Sequence, residues 1–195
     1  MMLPPGETIF LTLRLAGSIP AQAGRELHTQ RVAAQQAADS LEAHRRAEKQ
    51  FFAGFDALLD VRTVGPAYLE KEKLAEMVAG ELLMLEEQGL RVPCFVIVPN
   101  HVHVVLHLPA GVGLSLPKTV ELLHQRTATQ ARRLLRGQLP AEADFWQTGF
   151  HELPGQDAAE LTRINSYLLS HPQRLTLPER FHDWPYVYLI DEVIK

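Results

Sequence analysis

The sequence predicts an α+β sandwich built on an antiparallel sheet. The stretch from Thr8 to Gly17 is rich in strand-forming residues and runs into a turn-forming Ala-Gly-Ser-Ile-Pro sequence. Two further apolar runs, 94–98 and 101–108, are separated only by Pro99 and Asn100, a pair consistent with a tight hairpin. Helix-forming segments separate and follow these strands, so the order is strand, helices, hairpin, helix, helix.

The segment 25–60 predicts a helical insertion after the first strand, as one long helix or two shorter ones. It is rich in Ala, Gln, Glu and Arg and holds few helix-breaking residues. Gly65 and Pro66 then break the chain. A further helix is expected over 68–87, because apolar residues recur there at helical intervals before the terminating Gly89.

The composition is typical of a soluble globular protein, and we expect one domain over 1–195 with a C-terminal tail from about residue 173. The chain has 195 residues, of which 46% are hydrophobic and 22% charged, enough for a sizeable core. Apolar runs fall short of the roughly 20 residues of a membrane helix, and the N-terminus lacks the regions of a signal peptide. We therefore expect a location in the cytosol, with the prokaryotic cytosol or nucleoid favoured, and no membrane partner.

Cysteine usage limits the chemistry of any metal site. Cys94 is the single cysteine, which excludes an internal disulfide and a cluster of thiolate ligands. Any metal must therefore be held by histidine, carboxylate or amide groups.

The charge is acidic overall but uneven along the chain. A formal net charge of −4 is unfavourable for binding nucleic acid, whose phosphates usually meet a basic surface. The predicted helix over 118–137 is nevertheless basic, with one acidic residue, Glu121. A solvated helix face and a surface for a DNA backbone are equal alternatives for this helix. Its candidate phosphate-binding residues are Lys118, Arg126, Arg132, Arg133 and Arg136.

Three histidines share one face of the second hairpin strand. His101, His103 and His107 are separated by two and four residues. Because successive side chains of a strand point to opposite faces, an even spacing places all three on the same face. The opposite, aliphatic face is predicted to pack on helices, and the histidine face to look outward. His101 and His103, with Cα atoms roughly 6.6 Å apart, can converge on one ion. Such a pair leaves coordination positions open for a substrate, whereas His107 lies one strand step too far.

The sequence predicts both the first and the last residues of the final clear helix. Asp157 and Glu160 form a capping-box pair, and the helix is expected to run to about Ser170. Pro172 is predicted to end it and to bias His171 away from helical geometry. The predicted core stripe is Leu161, Ile164 and Leu168, with Tyr167 on an adjacent edge.

The sequence at 97–106, Ile-Val-Pro-Asn-His-Val-His-Val-Val-Leu, resembles the His-hydrophobic-His motif of the single-tyrosine HUH transposases. Within that family it is most similar to the REP-associated tyrosine transposases and their insertion-sequence relatives. The similarity covers most of the chain in the right order. Further segments resemble the family's first strand, Trp-Gln segment, tyrosine helix and C-terminal signature, and these are 10–20, 145–152, 167–172 and 183–188.

The resemblance implies a ferredoxin-like (RRM-like) sandwich whose members cut and rejoin single-stranded DNA, often beside hairpins. Carried over to this chain, it implies Tyr167 as the nucleophile and His101 and His103 as metal ligands. His171 stands where relatives place an amide that completes the metal site. The implied ion is Mg²⁺ or Mn²⁺, and the implied intermediate is a 5′-phosphotyrosine with a free 3′-OH. Relatives include both dimers and monomers, so a homodimer and a monomer both stay open.

Two other functions remain as alternatives. The acidic net charge fits a domesticated protein that binds DNA or RNA hairpins without cutting them. A metal hydrolase that uses the histidine cluster without a tyrosine nucleophile is the other alternative. The aromatic residues Trp146 and Phe150 are interpreted as core residues rather than platforms for stacking bases.

Overall fold

The computed structural model describes residues 6–61, 65–109, 113, 115–154 and 158–190. Its strands are β1 (Thr8–Arg14), β2 (Arg91–Val98), β3 (His101–His107), β4 (His151–Pro154) and β5 (Val187–Leu189). Its α-helices are α1 (Ala21–Ala37), α2 (Leu41–Asp60), α3 (Glu72–Leu83), α4 (Leu116–Leu135) and α5 (Ala158–Arg174). In these ranges, no helix combines the length and the apolar character needed to cross a bilayer.

The five strands form one antiparallel sheet in the order β4-β1-β3-β2-β5. The first four strands, with α3 and α4 as their crossing helices, have the arrangement of a ferredoxin-like sandwich. This confirms the predicted fold class. The predicted hairpin is also confirmed, because Val98 pairs with His101 across a two-residue turn. Strand β5 lies beside β2 and adds a short fifth strand from the predicted C-terminal tail.

The helical insertion after β1 consists of two helices rather than one. Helix α2 begins after Ser40, whose side chain accepts a hydrogen bond from the Ala43 N–H at 3.1 Å. Helix α1 has no fully buried residue and packs on α2. An ion pair of 2.8 Å between Arg31 and Glu48 joins the two helices.

The prediction of one continuous helix over 68–87 is wrong. Two 3₁₀ turns, Tyr68–Glu70 and Glu86–Gln88, flank a shorter α3. Lys71 has an extended backbone, with ψ of 116°, which interrupts the helix between the first turn and α3. Gly89 ends the segment in the left-handed region, with φ of 91°.

The sheet is buried on both faces, so the expectation that the histidine face looks outward is wrong. His101 and His103 have no exposed surface, like the valines Val102 and Val104 on the aliphatic face. Helices α2 and α5 pack over the histidine face, whereas α3 lies against β2 and packs on α4. The insertion therefore encloses the histidines, which strand alternation alone does not reveal.

The predicted stop at Pro172 is also wrong, because α5 continues to Arg174 with the proline in its last turn. Proline removes one backbone donor, but the next donors are satisfied: Leu175 N–H donates to His171 O at 3.0 Å. His171 consequently keeps helical geometry and is fully buried. The predicted start at Asp157 lies outside the described residues.

Candidate metal centre and tyrosine site

The imidazoles of His101 and His103 are fixed by hydrogen bonds at Nδ1. His101 Nδ1 donates to Asn100 Oδ1 at 2.8 Å, and the Asn100 amide is oriented because its Nδ2 donates to the Leu59 carbonyl at 2.9 Å. His103 Nδ1 lies 2.9 Å from the Thr12 hydroxyl on β1. Both Nε2 atoms consequently face the same point and lie 3.0 Å apart.

His171 approaches the histidine pair from α5. Its ring centroid is 5.0 Å from that of His103 and 5.5 Å from that of His101. Among the described residues, neither ring nitrogen of His171 has a hydrogen-bond partner. Burial, followed by the nearby His103, lowers the pKa of His171 to about 3, and the same kind of burial holds the pKa of His101 well below 6.5. Both imidazoles are therefore neutral at pH 7 and have lone pairs available for a metal.

The three predicted metal ligands come together. One nitrogen each from His101, His103 and His171 lies within 4.8 Å of the others, so this buried cluster is close enough to hold one metal ion. The ring nitrogens of His171 suit a metal ligand, because buried polar atoms usually have partners and these have none among the described residues. A set of imidazole nitrogens suits a divalent ion with affinity for nitrogen.

Two carboxylates from α2 also reach the cluster, and sequence reasoning missed both. Asp56 Oδ1 lies 2.9 Å from His103 Nε2, and Asp60 Oδ1 lies 3.4 Å from His171 Nε2. Burial raises the pKa of Asp56, but electrostatic interaction with His103, with smaller contributions from His171 and Arg174, outweighs that effect and holds the pKa below 3.8. The available signal was acidic residues at i and i+4 inside the apolar sequence Phe-Phe-Ala-Gly-Phe-Asp-Ala-Leu-Leu-Asp at 51–60.

Tyr167 lies one helical turn before His171, and its ring centroid is 6.1 Å from that of His103. Its buried hydroxyl makes no hydrogen bond within the described part of the chain. The Arg174 guanidinium lies over the Tyr167 ring, 4.7 Å from the centroid. The tyrosine is therefore held beside the histidine cluster, and its hydroxyl oxygen has no hydrogen-bond partner among the described residues.

Two cavities are lined by residues that neighbour the histidine cluster, and Tyr167 lines one of them. One, of about 310 Å³, lies between α2 and α5 and is lined by Asp56, Tyr167, Arg163 and Arg174 among others. The other, of about 630 Å³, is lined by Asn100, Pro99 and residues near the end of α2. Asp60 and Arg174 line both cavities, so the Arg174 guanidinium is the positively charged group that the two cavities share.

The other sequence-predicted residues lie elsewhere. His107 is 3.0 Å from the Thr8 hydroxyl and is outside the cluster. Trp146 is buried and donates from Nε1 to Thr127 at 2.7 Å, which confirms its interpretation as a core residue.

The cations of α4 are exposed, and two of them make structural contacts. Arg132 donates to the Ala141 carbonyl at 3.0 Å, and Arg126 lies 3.9 Å from Glu81. Lys118, Arg133 and Arg136 are also exposed. A role for these cations in binding nucleic acid stays a prediction.

No protein-family model and no curated protein matches the sequence. A solved structure of a REP-associated tyrosine transposase bound to a REP hairpin is similar to this chain, with a TM-score of 0.55 and 12% identity. The similarity covers 96% of this chain and 78% of that one. At this identity it shows a shared α+β fold and a distant structural relationship between the two proteins.

Proposed function

We propose that this protein is a metal-dependent transposase or endonuclease that cleaves and rejoins single-stranded DNA through Tyr167. The observation that carries the proposal is the position of Tyr167 and His171, one turn apart on α5, against the histidine pair of β3. The shared fold with a hairpin-bound transposase supports the same function. The proposed partner is hairpin-forming DNA in the cytosol.

In the proposed reaction, the Tyr167 oxygen attacks the phosphorus of a DNA phosphodiester. A bond forms between that oxygen and phosphorus, and the bond from phosphorus to the 3′ oxygen breaks. The products are a 5′-phosphotyrosine and a free 3′-OH, so reversal by another 3′-OH joins new ends without a nucleotide cofactor. The Tyr167 hydroxyl has no protein hydrogen bond to break within the described residues before it attacks.

His101, His103 and His171 would hold the divalent ion, with Asn100 and Thr12 orienting the first two rings. When bound, the ion supplies Lewis-acid stabilisation of the charge that develops on the phosphate. Three imidazoles favour Mn²⁺ over Mg²⁺, because Mg²⁺ prefers oxygen ligands and keeps its waters. We therefore expect Mn²⁺ to support cleavage at lower concentration than Mg²⁺.

Arg174 is the residue best placed to orient the phosphate. It lies over the Tyr167 ring and lines both cavities beside the cluster. A guanidinium can bind two phosphate oxygens at once, which fixes the phosphodiester relative to the attacking oxygen.

Covalent capture tests the proposal. The protein is incubated with a pool of single-stranded hairpin oligonucleotides, labelled at the 3′ end and carrying randomised flanks, in Mn²⁺ or EDTA. We expect a labelled protein band that survives SDS, requires the metal, and disappears in Tyr167→Phe but not in the control Tyr188→Phe. Absence of an adduct with every hairpin in the pool would contradict the proposal.

A second candidate is a domesticated hairpin-binding protein of the same fold, favoured by the net charge of −4. It predicts hairpin binding with no metal-dependent adduct. A metal hydrolase predicts cleavage that persists in Tyr167→Phe. The capture experiment separates the transposase from both alternatives, and hairpin binding and free cleavage products, measured in the same reactions, separate the other two functions.

A further inference from the structure

We propose that Asp56 is a direct ligand of the metal, so that the helical insertion completes a centre of three histidines and one carboxylate. The inference rests on the metal-binding part of the proposed function and not on DNA cleavage. It assigns a role to α2, a helix that the strand and tyrosine motifs leave unexplained.

The contacts around His103 Nε2 have the spacing of neighbouring metal ligands. That nitrogen lies 3.0 Å from His101 Nε2 and 2.9 Å from Asp56 Oδ1. Ligand atoms at right angles, each about 2.1 Å from an ion, are separated by about 3.0 Å. Both separations match this edge length.

A hydrogen bond alone does not account for this arrangement. Nδ1 of His103 is already engaged by Thr12, and Nε2 can carry at most one proton to share between His101 and Asp56. Asp56 Oδ1 has no hydrogen bond of good geometry among the described residues, although it is buried. A cation bound between Asp56 and the histidine pair would engage the carboxylate and both nitrogens, and ligand atoms of Asp56, Asp60 and His101 also lie within 4.8 Å of one another.

Helix α2 aims Asp56 at the site through its helical period. Phe51, Phe55 and Leu59 pack in a separate small core with Ile19. Phe52 and Asp56, at i and i+4, instead face the sheet, where the Phe52 ring is 6.4 Å from that of His103. Asp60 continues the same line one turn later, beside His171.

A carboxylate changes the chemistry of the site. It adds one negative charge to the three imidazole ligands and so strengthens binding of a divalent ion. The mixed nitrogen and oxygen set fits first-row transition ions such as Mn²⁺, and it fits Mg²⁺ poorly.

Mn²⁺ titration of the full chain, followed by calorimetry or by the loss of the free-ion EPR signal, tests this role. We expect Asp56→Asn, which preserves shape, to weaken Mn²⁺ binding by at least about tenfold. The matched control Glu42→Gln removes an exposed carboxylate from the first turn of α2 and should leave the affinity unchanged. Equal affinities for wild type and Asp56→Asn would overturn the ligand role and leave the proposed function intact. Failure of the wild type to bind Mn²⁺ would overturn the proposed metal site as well.

A second measurement does not depend on how the variant folds. In crystals of the wild-type protein loaded with Mn²⁺, anomalous scattering locates the ion. We expect an Asp56 carboxylate oxygen at about 2.2 Å from it, the range of metal–oxygen bonds. An ion bound by the three histidines with Asp56 outside bonding distance would overturn the inference.

Discussion

The hydroxyl of Thr12 lies 2.9 Å from Nδ1 of His103, and the two residues are directly opposite each other on β1 and β3. Both are buried. The contact fixes the rotation of the imidazole, so that its Nε2 faces His101 rather than the sheet. The neighbouring strand thus orients a proposed metal ligand without touching the metal.

Thr12→Val should weaken metal binding while the fold persists. Valine keeps the shape of threonine but removes the hydroxyl, and loss of such an orienting contact reduces metal affinity by about 10- to 100-fold. The measurement is Mn²⁺ titration, with thermal unfolding of the metal-free protein as the check on stability. Thr8→Val is the matched control, because Thr8 makes the same contact to His107 at 3.0 Å on the same strand pair. Equal losses in both variants would contradict the orienting role.

Acid should destabilise the protein before its carboxylates titrate. Burial lowers the pKa of His124 to about 4 and is the main cause that lowers that of His151 to about 4. Between pH 6.5 and about 4 the unfolded chain binds more protons at these sites than the folded chain. Their contribution to the free energy of unfolding is therefore full above pH 6.5 and falls as the pH decreases through this window.

Urea unfolding at several pH values measures this dependence. His124→Gln should have a shallower decline in stability below pH 6.5 than the wild type. His28→Gln, at an exposed position on α1, should decline like the wild type. An unchanged slope in His124→Gln would show that this histidine does not contribute.

Arg174→Ala should slow adduct formation without changing Mn²⁺ affinity. A charged hydrogen bond contributes about 1.5–3 kcal/mol, which corresponds to roughly a 10- to 100-fold loss in rate. Arg174→Lys should recover part of the activity, since it restores the charge but not the two-pronged geometry. If Arg174→Ala formed the adduct at the wild-type rate, the proposed contact between Arg174 and the phosphate would be contradicted.

Arg133→Ala tests the separate prediction that α4 binds the DNA backbone. We expect weaker hairpin binding and a salt dependence reduced by about one ion, as for the loss of a single phosphate contact. Adduct formation at saturating DNA should stay unchanged. Unaltered affinity would identify α4 as a solvated face.

Gly65→Ala should destabilise the connection after α2. Gly65 has φ of 94°, and an added Cβ would lie 2.3 Å from the Gly17 carbonyl oxygen. The steric and backbone costs together should reduce the free energy of unfolding by at least about 2 kcal/mol. Gly137→Ala is the control, because Gly137 has φ of 87° but open space around its Cβ position. It should lose about 1–2 kcal/mol from backbone strain alone, and an equal loss at both positions would exclude the clash.

Residues fixed by local periodicity were predictable from the sequence. Strand alternation places His101 and His103 on one face, and helical spacing places Tyr167 and His171 on one side of α5. The cluster then forms if α5 packs on β3, and the resemblance to the transposase family implied this contact.

The rest of the site depends on tertiary placement that local patterns do not encode. Nothing in the periodicity of α2 says that it crosses the histidine face, so Asp56 and the burial of His103 were both missed. Pro172 was predicted to end the helix because proline disfavours helical geometry in the preceding residue. The backbone N–H groups after it donate to carbonyls of α5, and His171 stays in the helix. Asn100 was read only as a turn residue, although its side chain orients His101.

Peptide mass spectrometry of the protein after incubation with hairpin DNA and Mn²⁺ tests the central claim most directly. After nuclease trimming, the account predicts a nucleotide joined to Tyr167 through its 5′ phosphate. A nucleotide on any other residue, or DNA cleavage with an unmodified Tyr167 peptide at every time point, would contradict it.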